Sequence, residues 1–295
     1  MSSVDFGLII VDKPVGPTSH SVVHIVRQGT GVRKVGHAGT LDPRASGVLV
    51  LCLGAATRLS EYLSSGTKRY EAVVRFGRST DTYDADGQVV RETGRSPDLE
   101  DIQAVLPDFK GELDQVPPAF SAIKLKGKKA YQLARAGKDV DLEPRQVTIF
   151  TIEPTAYEAP DLTLDISCSA GTYVRSLAND LGERLSTGAH LAALRRTQAG
   201  SFKLSQAVTL DVLQAAFADR SWTSHVLPAA EALPDLPLVE VDSDGIEMVR
   251  HGRKIPAEPP AEGLARAVDQ DGSLVAILEG RPEESAWLPK KVFIS

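Results

Sequence analysis

The sequence predicts an α+β fold: a mixed or antiparallel sheet flanked by helices, with a small β-rich domain after it. Strand-like apolar runs and amphipathic helical runs are both present, without the regular βαβ alternation of a parallel fold. Two strand-like segments, "RQVTIFTIEPTAY" and "LTLDISCSAGTY", follow each other and read as adjacent strands. The Pro-rich passage "LPAAEALPDLPLVEV" ends this pattern, and short strands separated by Gly, Asp and Pro follow it.

In chain order, the first elements are a strand in "GLIIVDKP" and a helix in "SHSVVHIVRQ". A glycine-rich loop leads to "GVLVLCLG", whose apolar residues do not alternate and therefore predict a strand covered on both faces. A helix is expected around "ATRLSEYL", followed by a strand in "KRYEAVVRFG". The turn "DADG" then leads into "QVVRET", and Ser96 with Pro97 begins a short helix.

The second half of the chain adds the amphipathic helix "VRSLANDLGERL" and another strand through "FKLSQ". We expect a first domain over residues 1–233 and a small second domain over residues 238–295. A basic stretch at about 121–145 is expected to project from the first domain as an insertion. It combines lysines with Tyr131 and Arg135, a mixture suited to phosphates and bases, although a solvated helix face is the alternative.

Composition describes a globular chain that can form one sizeable domain and a smaller one. The 295 residues are 42% hydrophobic and 24% charged. No apolar run approaches the roughly 20 residues that span a bilayer, and the N-terminal residues lack the pattern of a signal peptide. We therefore expect a cytoplasmic protein with no membrane partner. Cys52 and Cys168 stand far apart in apolar runs, which predicts small core residues and no disulfide.

The overall charge alone argues mildly against a nucleic-acid partner, because 39 acidic residues outnumber 33 basic ones and the net charge is −6. The basic residues are clustered, however, in "GVRKVGH", "KLKGKKAYQLARAGK" and "LRRTQ". A local basic face on an acidic protein is still able to bind a phosphate backbone.

Metal and nucleotide motifs receive little support. His20 and His24 have helical i, i+4 spacing and His37 follows, but the Glu of a metalloprotease motif and a carboxylate or cysteine ligand cluster are missing. Surface histidines are the better interpretation. The segment "GTGVRKVG" has the wrong glycine spacing for a dinucleotide fingerprint, and no Walker-type phosphate loop appears.

The segment "VGHAGTLDPRASGVLVLCLG" places one carboxylate, Asp42, in a turn directly before a buried strand. Such a residue either caps the turn or is a reactive group on a rigid scaffold. Two later segments carry Tyr70, and Tyr173 with Arg175. A guanidinium beside an aspartate keeps the carboxylate ionised and aimed, and a tyrosine stacks on a flat ring or carries a proton. An ordinary Arg–Asp pair is the alternative, and spacing does not establish that these residues meet.

Six ordered blocks resemble the TruB family of tRNA pseudouridine synthases, from about Gly7 to Thr197. They are "DKPVGPTSHSVV", "RKVGHAGTLDPRASGVLVLCLGAATRL", "KRYEAVVRFGRSTDTYDADG", "PPAFSAIKLKGKKAYQLARAG", "SAGTYVRSLANDLG" and "HLAALRRTQAG". Arg44 and Ser46 depart from the pattern, since an apolar residue and a threonine are expected there. The resemblance weakens toward the C-terminal end, where the family usually carries a small PUA-type RNA-binding barrel. There "VEVDSDGIEMVRHGRKIP" and "VAILEGRPEESAWLPKKVFIS" are compatible with strands.

The resemblance implies a pseudouridine synthase-like fold and the reaction of a tRNA pseudouridine-55 synthase. One uridine in the T loop of tRNA would be isomerised, without a metal or an organic cofactor. The expected partner is the T arm of tRNA, and a monomer is the default state. Breaking the glycosidic C–N bond and joining C5 of the turned base to the same sugar carbon needs one carboxylate and proton handling.

The resemblance also assigns roles to residues. Asp42 resembles the nucleophile, and attack at the sugar carbon and assistance to sugar deprotonation both remain open. Tyr70 resembles the aromatic that stacks on the uracil, Arg175 the ionic partner of Asp42, and Tyr173 a neighbouring pocket residue. His37 resembles the residue that enters the space near the extruded nucleotide, since a stacked base must flip to reach a pocket.

Further basic residues are expected to contact phosphates, and Lys13 with Pro14 to support the catalytic loop. The phosphate candidates are Arg33, Lys34, Lys124, Lys126, Lys128 and Lys129. Two other functions compete with the synthase. A non-catalytic RNA-binding protein that refolds the tRNA elbow would share the basic insertion and His37, but has no need of Asp42, Tyr70 and Arg175 together. A zinc hydrolase that used the histidines would contain bound metal.

Overall fold

The computed structural model describes residues 6–294 except 122, 126 and 139. The strands are β1 (Gly7–Lys13), β2 (Val35–Ala38), β3 (Ala45–Leu53), β4 (Lys68–Phe76), β5 (Arg78–Thr80), β6 (Val89–Glu92), β7 (Gly111–Gln115), β8 (Lys124–Leu125), β9 (Lys128–Lys129), β10 (Arg145–Glu158), β11 (Asp161–Cys168), β12 (Ala189–Ala199), β13 (Phe202–Lys203), β14 (Val208–Thr209), β15 (Leu227–Pro228), β16 (Leu238–Glu240), β17 (Ile255–Pro256), β18 (Leu264–Val268), β19 (Leu274–Arg281) and β20 (Ala286–Val292). The α-helices are α1 (Ser19–Thr30), α2 (Ser60–Ser65), α3 (Leu99–Val105), α4 (Ala130–Arg135), α5 (Val174–Arg184), α6 (Leu210–Ala218) and α7 (Ser243–Arg250). Among the described helices, none combines the length and apolarity that a membrane crossing requires.

One large mixed sheet organises the first part of the chain. Its strands run in the order β14-β1-β3-β12-β4-β11-β10-β7, with β15 beside β1, β2 beside β3 and β13 beside β12. The pairs β1–β14 and β3–β12 are parallel, and the other pairs are antiparallel. The predicted α+β fold with a mixed sheet is therefore confirmed.

Strand β3 is buried on both faces, as its unbroken apolar run predicts. Leu49 and Leu51 belong to a core that helices α1, α5 and α6 cover. Val48 and Val50 point to a second core on the opposite face, which also contains residues of the C-terminal strands β18 and β19. Because successive side chains of a strand alternate between faces, a strand between two cores needs apolar residues at every position.

The central strand β12 was not predicted. The sequence indicated a strand at "FKLSQ", where only Phe202–Lys203 pair, whereas Ala189–Ala199 form a long strand between β3 and β4. Polar residues interrupt the apolar pattern of this strand, so the sequence did not indicate a buried strand. One of them, Arg196, is nevertheless only 1% exposed. Glycine permits the close contact with β3, because a Cβ on Gly47 would lie 2.2 Å from the carbonyl oxygen of Arg196 and its φ is +99°.

Strands β16, β18, β19, β20 and β17 form a separate five-stranded sheet near the C-terminal end. The segment "VEVDSDGIEMVRHGRKIP" is not β throughout, because α7 occupies its middle. Asp242 begins this helix by accepting a hydrogen bond from the backbone N–H of Gly245 at 2.8 Å. In the first part of the chain, the predicted short helix starts later than expected: α3 begins at Leu99 after Asp98, beyond Ser96 and Pro97.

The basic stretch forms elements outside the large sheet. Strands β8 and β9 pair as a short antiparallel hairpin, and α4 follows directly. The backbone N–H of Tyr131 donates to the carbonyl of Ser121 at 3.0 Å, which ties the start of α4 to the chain that enters the hairpin. Lys124 and Lys128 are thus carried on a hairpin, and Arg135 on a helix, outside the large sheet.

Candidate active site

Asp42 lies in the loop between β2 and β3, and buried hydrogen bonds hold this loop on both sides of it. The hydroxyl of Ser19 donates to the Leu41 carbonyl at 2.9 Å and accepts from the Leu41 N–H at 2.8 Å. The ammonium of Lys13 donates to the carbonyls of Pro14 at 2.8 Å and Pro43 at 3.4 Å. The loop is therefore a fixed support for the carboxylate.

Lys13 is completely buried, with 0% of its surface exposed. Burial lowers the pKa of its ammonium to about 8, while the charge of Asp42 acts in the opposite direction. Its third bond, to the Pro17 carbonyl at 2.9 Å, joins the start of α1 to the same ammonium. Lys13 and Pro14 thus lie where a support of the Asp42 loop is expected.

Arg175, in the first turn of α5, lies between two aspartates. Its Nη2 is 3.0 Å from Oδ2 of Asp42, and its Nη1 is 3.4 Å from Oδ2 of Asp84. The same guanidinium donates to the carbonyls of Thr82 at 3.2 Å and Phe120 at 3.1 Å. Four acceptors on three separate segments of the chain therefore hold the Arg175 guanidinium in one orientation.

The two aspartates differ in accessibility. The Asp42 side chain is 45% exposed, whereas those of Asp84 and Arg175 are 14% and 8% exposed. The buried guanidinium of Arg175 thus has a partly buried counter-ion, Asp84, on one side and an accessible carboxylate, Asp42, on the other. Such an arrangement orients the Asp42 carboxylate while leaving it open to a substrate.

A cavity of about 280 Å³ opens beside Asp42 and is also lined by Tyr70, Tyr173 and Arg175. Tyr70 comes from β4 and is 8% exposed, and burial raises the pKa of its phenol above the usual value. Burial also raises the pKa of Tyr173. Both phenols therefore carry their protons at neutral pH.

A larger cavity of about 720 Å³ adjoins the first and shares Asp42, Ser121 and Arg175 with it. His37, on β2, lies in its wall together with His20. Burial, and then the charges of Arg196 and His20, lowers the pKa of His37, so the imidazole is neutral at pH 7. Its Nδ1 has no hydrogen-bond partner among the described residues.

The structure brings together part of the predicted site. Asp42, Tyr70, Tyr173 and Arg175 line one cavity, and His37 lines the adjoining one. The predicted phosphate-contacting residues do not lie in the described walls of either cavity: Arg33, Lys34, Lys124 and Lys128 are exposed, the backbone of Lys129 pairs with Lys124, and Lys126 lies outside the described residues.

Three residues of the site were missed in the sequence. Asp84 stands in "DADG", which the sequence indicated only as a turn. Lys68 precedes Tyr70 by two residues on the same face of β4, and this spacing was an available signal. Arg196 was counted in a basic cluster, but its guanidinium donates to the carbonyls of Val48 at 2.8 Å, Gly39 at 3.0 Å and Thr40 at 3.3 Å.

The described histidines and cysteines are not clustered as metal ligands are. Among residues 6–294 with the stated gaps, no group of three or more His, Cys, Asp or Glu side chains is arranged to hold a metal ion. His20 and His24 are exposed on α1, as expected of surface histidines. Cys52 and Cys168 are buried core residues, and burial raises the pKa of their thiols to about 12 and about 11.

A pH-dependent stability is predicted for Lys68, whose ammonium donates to the Gly66 carbonyl at 2.8 Å at the edge of the smaller cavity. Burial lowers its pKa to about 8 from the usual value of 10.5. Between these pH values the unfolded chain binds more protons, so this group makes the free energy of unfolding rise with pH. Relative to Lys68→Met, wild type should therefore gain stability as the pH is raised from about 8 to 10.

Urea unfolding of both proteins at several pH values measures this difference. Lys110→Met is the control, because Lys110 is exposed and its removal should leave the slope with pH unchanged. Parallel stability curves for wild type and Lys68→Met would show that no buried ammonium titrates at this position.

Three family models match consecutive parts of the chain. Residues 27–174 match the N-terminal domain of TruB family pseudouridylate synthases. The chain belongs to the TruB family. Residues 175–234 match the tRNA pseudouridylate synthase B C-terminal domain, and residues 236–294 match the C-terminal region of tRNA pseudouridine synthase II. The resemblance seen in the sequence is confirmed, and the protein is a pseudouridine synthase.

Curated relatives support the same family over almost the whole chain. A protein of Pseudomonas fluorescens named tRNA pseudouridine synthase B is 42% identical over 277 residues, which are 92% of this chain and 91% of the relative. A protein of Solibacter usitatus with the same name is 44% identical over 278 residues, covering 92% of this chain and 95% of the relative.

Solved structures confirm the TruB-type fold. One is described as an H/ACA RNP bound to a substrate RNA containing 2'-deoxyuridine. Its matched chain has a TM-score of 0.77 and is 27% identical; the match covers 99% of the present chain and 86% of the solved chain. A chain of a Cbf5-Nop10-Gar1 complex also has a TM-score of 0.77, with 28% identity and the same coverage. The match spans the large sheet and the C-terminal sheet.

Proposed function

We propose that this TruB-family enzyme converts one T-loop uridine of tRNA to pseudouridine, as a tRNA pseudouridine-55 synthase with Asp42 as its reacting carboxylate. The observation that carries the proposal is the ion pair at 3.0 Å between buried Arg175 and half-exposed Asp42. This pair opens into a cavity that Tyr70 also lines. The names of the curated relatives supply the substrate class.

The reaction moves a bond within one nucleotide. The bond between N1 of uracil and C1′ of the sugar breaks, the base turns, and C5 bonds to C1′; C5 then loses a proton and N1 gains one. Asp42 attacks C1′ directly or assists deprotonation of the sugar, and both routes require an ionised, accessible carboxylate. No electron or external atom is consumed, so the proposal needs no metal or organic cofactor.

The other residues of the smaller cavity have supporting roles in the proposal. Arg175 orients Asp42, and the buried ring of Tyr70 offers a flat surface on which uracil stacks. Because the Tyr70 phenol keeps its proton at neutral pH, it is also able to exchange a proton with the base. The Tyr173 ring forms a neighbouring wall of the cavity.

Entry of the uridine requires that it leave the stacked T loop. The larger cavity leads to Asp42 and gives an extruded nucleotide room to reach it. His37 lies in that wall as a neutral imidazole. We assign to His37 a position in the space near the extruded nucleotide.

Recognition of the T arm is proposed to rest on backbone contacts and shape, because the deep groove of A-form RNA is closed to side chains. Exposed Arg33 and Lys34 and the basic hairpin of β8 and β9 are the proposed phosphate contacts. Residues 1–233 form the catalytic domain in this proposal and residues 238–295 the PUA-like domain. The enzyme would act as a cytoplasmic monomer.

The proposal is tested on unmodified tRNA transcripts by mapping pseudouridine at single-nucleotide resolution after incubation with the enzyme. We expect one T-loop uridine to be converted, and no conversion in a matched transcript that carries cytidine at that position. Conversion confined to another part of the tRNA would contradict the T-loop assignment. Binding without any conversion would contradict the catalytic proposal and favour a protein that only refolds tRNA.

A further inference from the structure

Arg44 follows Asp42 by two residues and forms an ion pair that lies outside the group of residues assigned above. Its Nε and Nη2 both lie 2.5 Å from Oδ1 of Asp86. Both side chains line the larger cavity. The family resemblance leads us to expect an apolar residue at position 44, where this chain carries a guanidinium.

The Arg44–Asp86 pair closes a ring of contacts around the catalytic loop. The backbone N–H of Asp86 donates to Oδ1 of Asp84 at 3.1 Å, and Oδ2 of Asp84 is 3.4 Å from Nη1 of Arg175. Arg175 in turn contacts Asp42 at 3.0 Å. Only Pro43 separates Asp42 from Arg44, so the ring begins and ends in the same loop.

The loop that carries Asp84 and Asp86 is itself anchored to the sheet. The N–H of Leu191, in the central strand β12, donates to the Tyr83 carbonyl at 2.9 Å. The hydroxyl of Thr80 donates to the Asp84 carbonyl at 2.7 Å. Through its ion pair with Asp86, Arg44 therefore connects the segment after Asp42 to a loop that is itself hydrogen-bonded to strand β12.

We propose that Arg44 is a positioning residue for the reaction: through Asp86 it restrains the chain after Asp42, so that the carboxylate stays aimed into the smaller cavity. This inference rests on the proposed function of Asp42. Arg175 restrains the side chain of Asp42 directly, whereas Arg44 restrains its backbone. Both nitrogens of Arg44 converge on one oxygen of Asp86, which favours this use of the guanidinium over a contact with an RNA phosphate.

The test is a double-mutant cycle of Arg44→Gln, Asp86→Asn and the combined variant, together with the charge-swapped protein Arg44→Asp/Asp86→Arg. Single-turnover rates at saturating enzyme, and the enzyme concentration that gives half the maximal rate, are measured on the T-loop transcript. Because the side chains of Arg44 and Asp86 are 51% and 56% exposed, the variants should keep the thermal unfolding midpoint of wild type.

We expect each single variant to lower the saturating rate by about twofold to fivefold, the scale on which exposed ion pairs shift an equilibrium. The combined variant should be no slower than the single ones, and the charge swap should recover most of the rate. Arg78→Gln/Glu92→Gln is the matched control, because this exposed ion pair at 2.6 Å lies outside the described walls of both cavities.

Several outcomes would overturn the inference while leaving the proposed function intact. One is a wild-type saturating rate in Arg44→Gln, and another is additive rate losses in the combined variant. A third is a change confined to the enzyme concentration that gives half the maximal rate, because this result would indicate a phosphate contact. A charge swap as slow as the single variants also counts against positioning. If wild type itself forms no pseudouridine, the proposed function fails first.

Discussion

Replacing Asp42 by Asn should abolish pseudouridine formation while leaving tRNA binding within about twofold of wild type. Asparagine has the shape of aspartate but lacks the charge that a nucleophile or base needs, so we expect a rate loss of at least about 10⁴-fold. Folding should persist, because the Asp42 side chain is 45% exposed. Arg175 keeps its other acceptors, which are Asp84 and the carbonyls of Thr82 and Phe120.

The measurement is single-turnover conversion of the T-loop uridine, with filter binding of the same transcript by both proteins. Asp161→Asn is the matched control: Asp161 is also an ion-paired aspartate, 2.6 Å from Arg75, but it lies outside the described walls of both cavities. The control should retain the wild-type rate. A rate in Asp42→Asn within about 100-fold of wild type would remove Asp42 from the chemical step.

The order of strands in the large sheet explains why distant residues of the chain meet at this site. Strands β3, β12 and β4 are neighbours, and the register pairs Gly47 with Arg196 and Arg196 with Tyr70. The loop of Asp42 leads into β3, and α5 packs against β12. Three segments far apart in sequence therefore converge at one place on the sheet.

Local sequence drew attention to Asp42 but did not settle its role. The glycines, the proline and the fully apolar strand around it indicate either a turn cap or a reactive group, and only the family resemblance favours the second. Its contact with Arg175 required the family resemblance, because nothing in the spacing of residues 42 and 175 indicates proximity. The structure supplies that contact as an ion pair at 3.0 Å.

Arg196 and Asp84 show why the remaining residues were missed. Charged residues are normally exposed, so "LRRTQ" indicated a basic surface, whereas Arg196 is buried against carbonyls of the Gly39–Thr40 turn and Val48. Those acceptors lie about 150 residues earlier in the chain, as the separations of 148 to 157 show. Asp84 likewise acquires its role from Arg175, which stands 91 residues later.

Arg175→Met should have the second-largest effect, because it removes the cation from between two aspartates. Asp42 loses the contact that orients it, and we expect the saturating rate to fall by at least about 10³-fold. Asp84, 14% exposed, loses its cationic partner and keeps only the hydrogen bonds from the Thr82 hydroxyl and the Asp86 N–H. Breaking a buried ion pair by removing one partner typically costs about 3–5 kcal/mol of unfolding free energy.

Lysine at this position is the informative comparison. Arg175 uses two nitrogens, one toward Asp42 and one toward Asp84, and the compact ammonium of lysine lacks this fork. Arg175→Lys should therefore keep more stability than Arg175→Met but remain slower than wild type. Urea unfolding gives the stability of each variant, and single-turnover conversion gives its rate.

The double variant Arg175→Met/Asp84→Asn separates the role of Arg175 in folding from its role in orienting Asp42. Neutralising Asp84 removes the partly buried charge that has lost its cation, so part of the lost unfolding free energy should return. The rate should stay low, because Asp42 still has no guanidinium to hold its carboxylate. If the rate returned together with stability, Arg175 would act only by keeping the protein folded; if stability alone returns, the ion pair aims the reacting group.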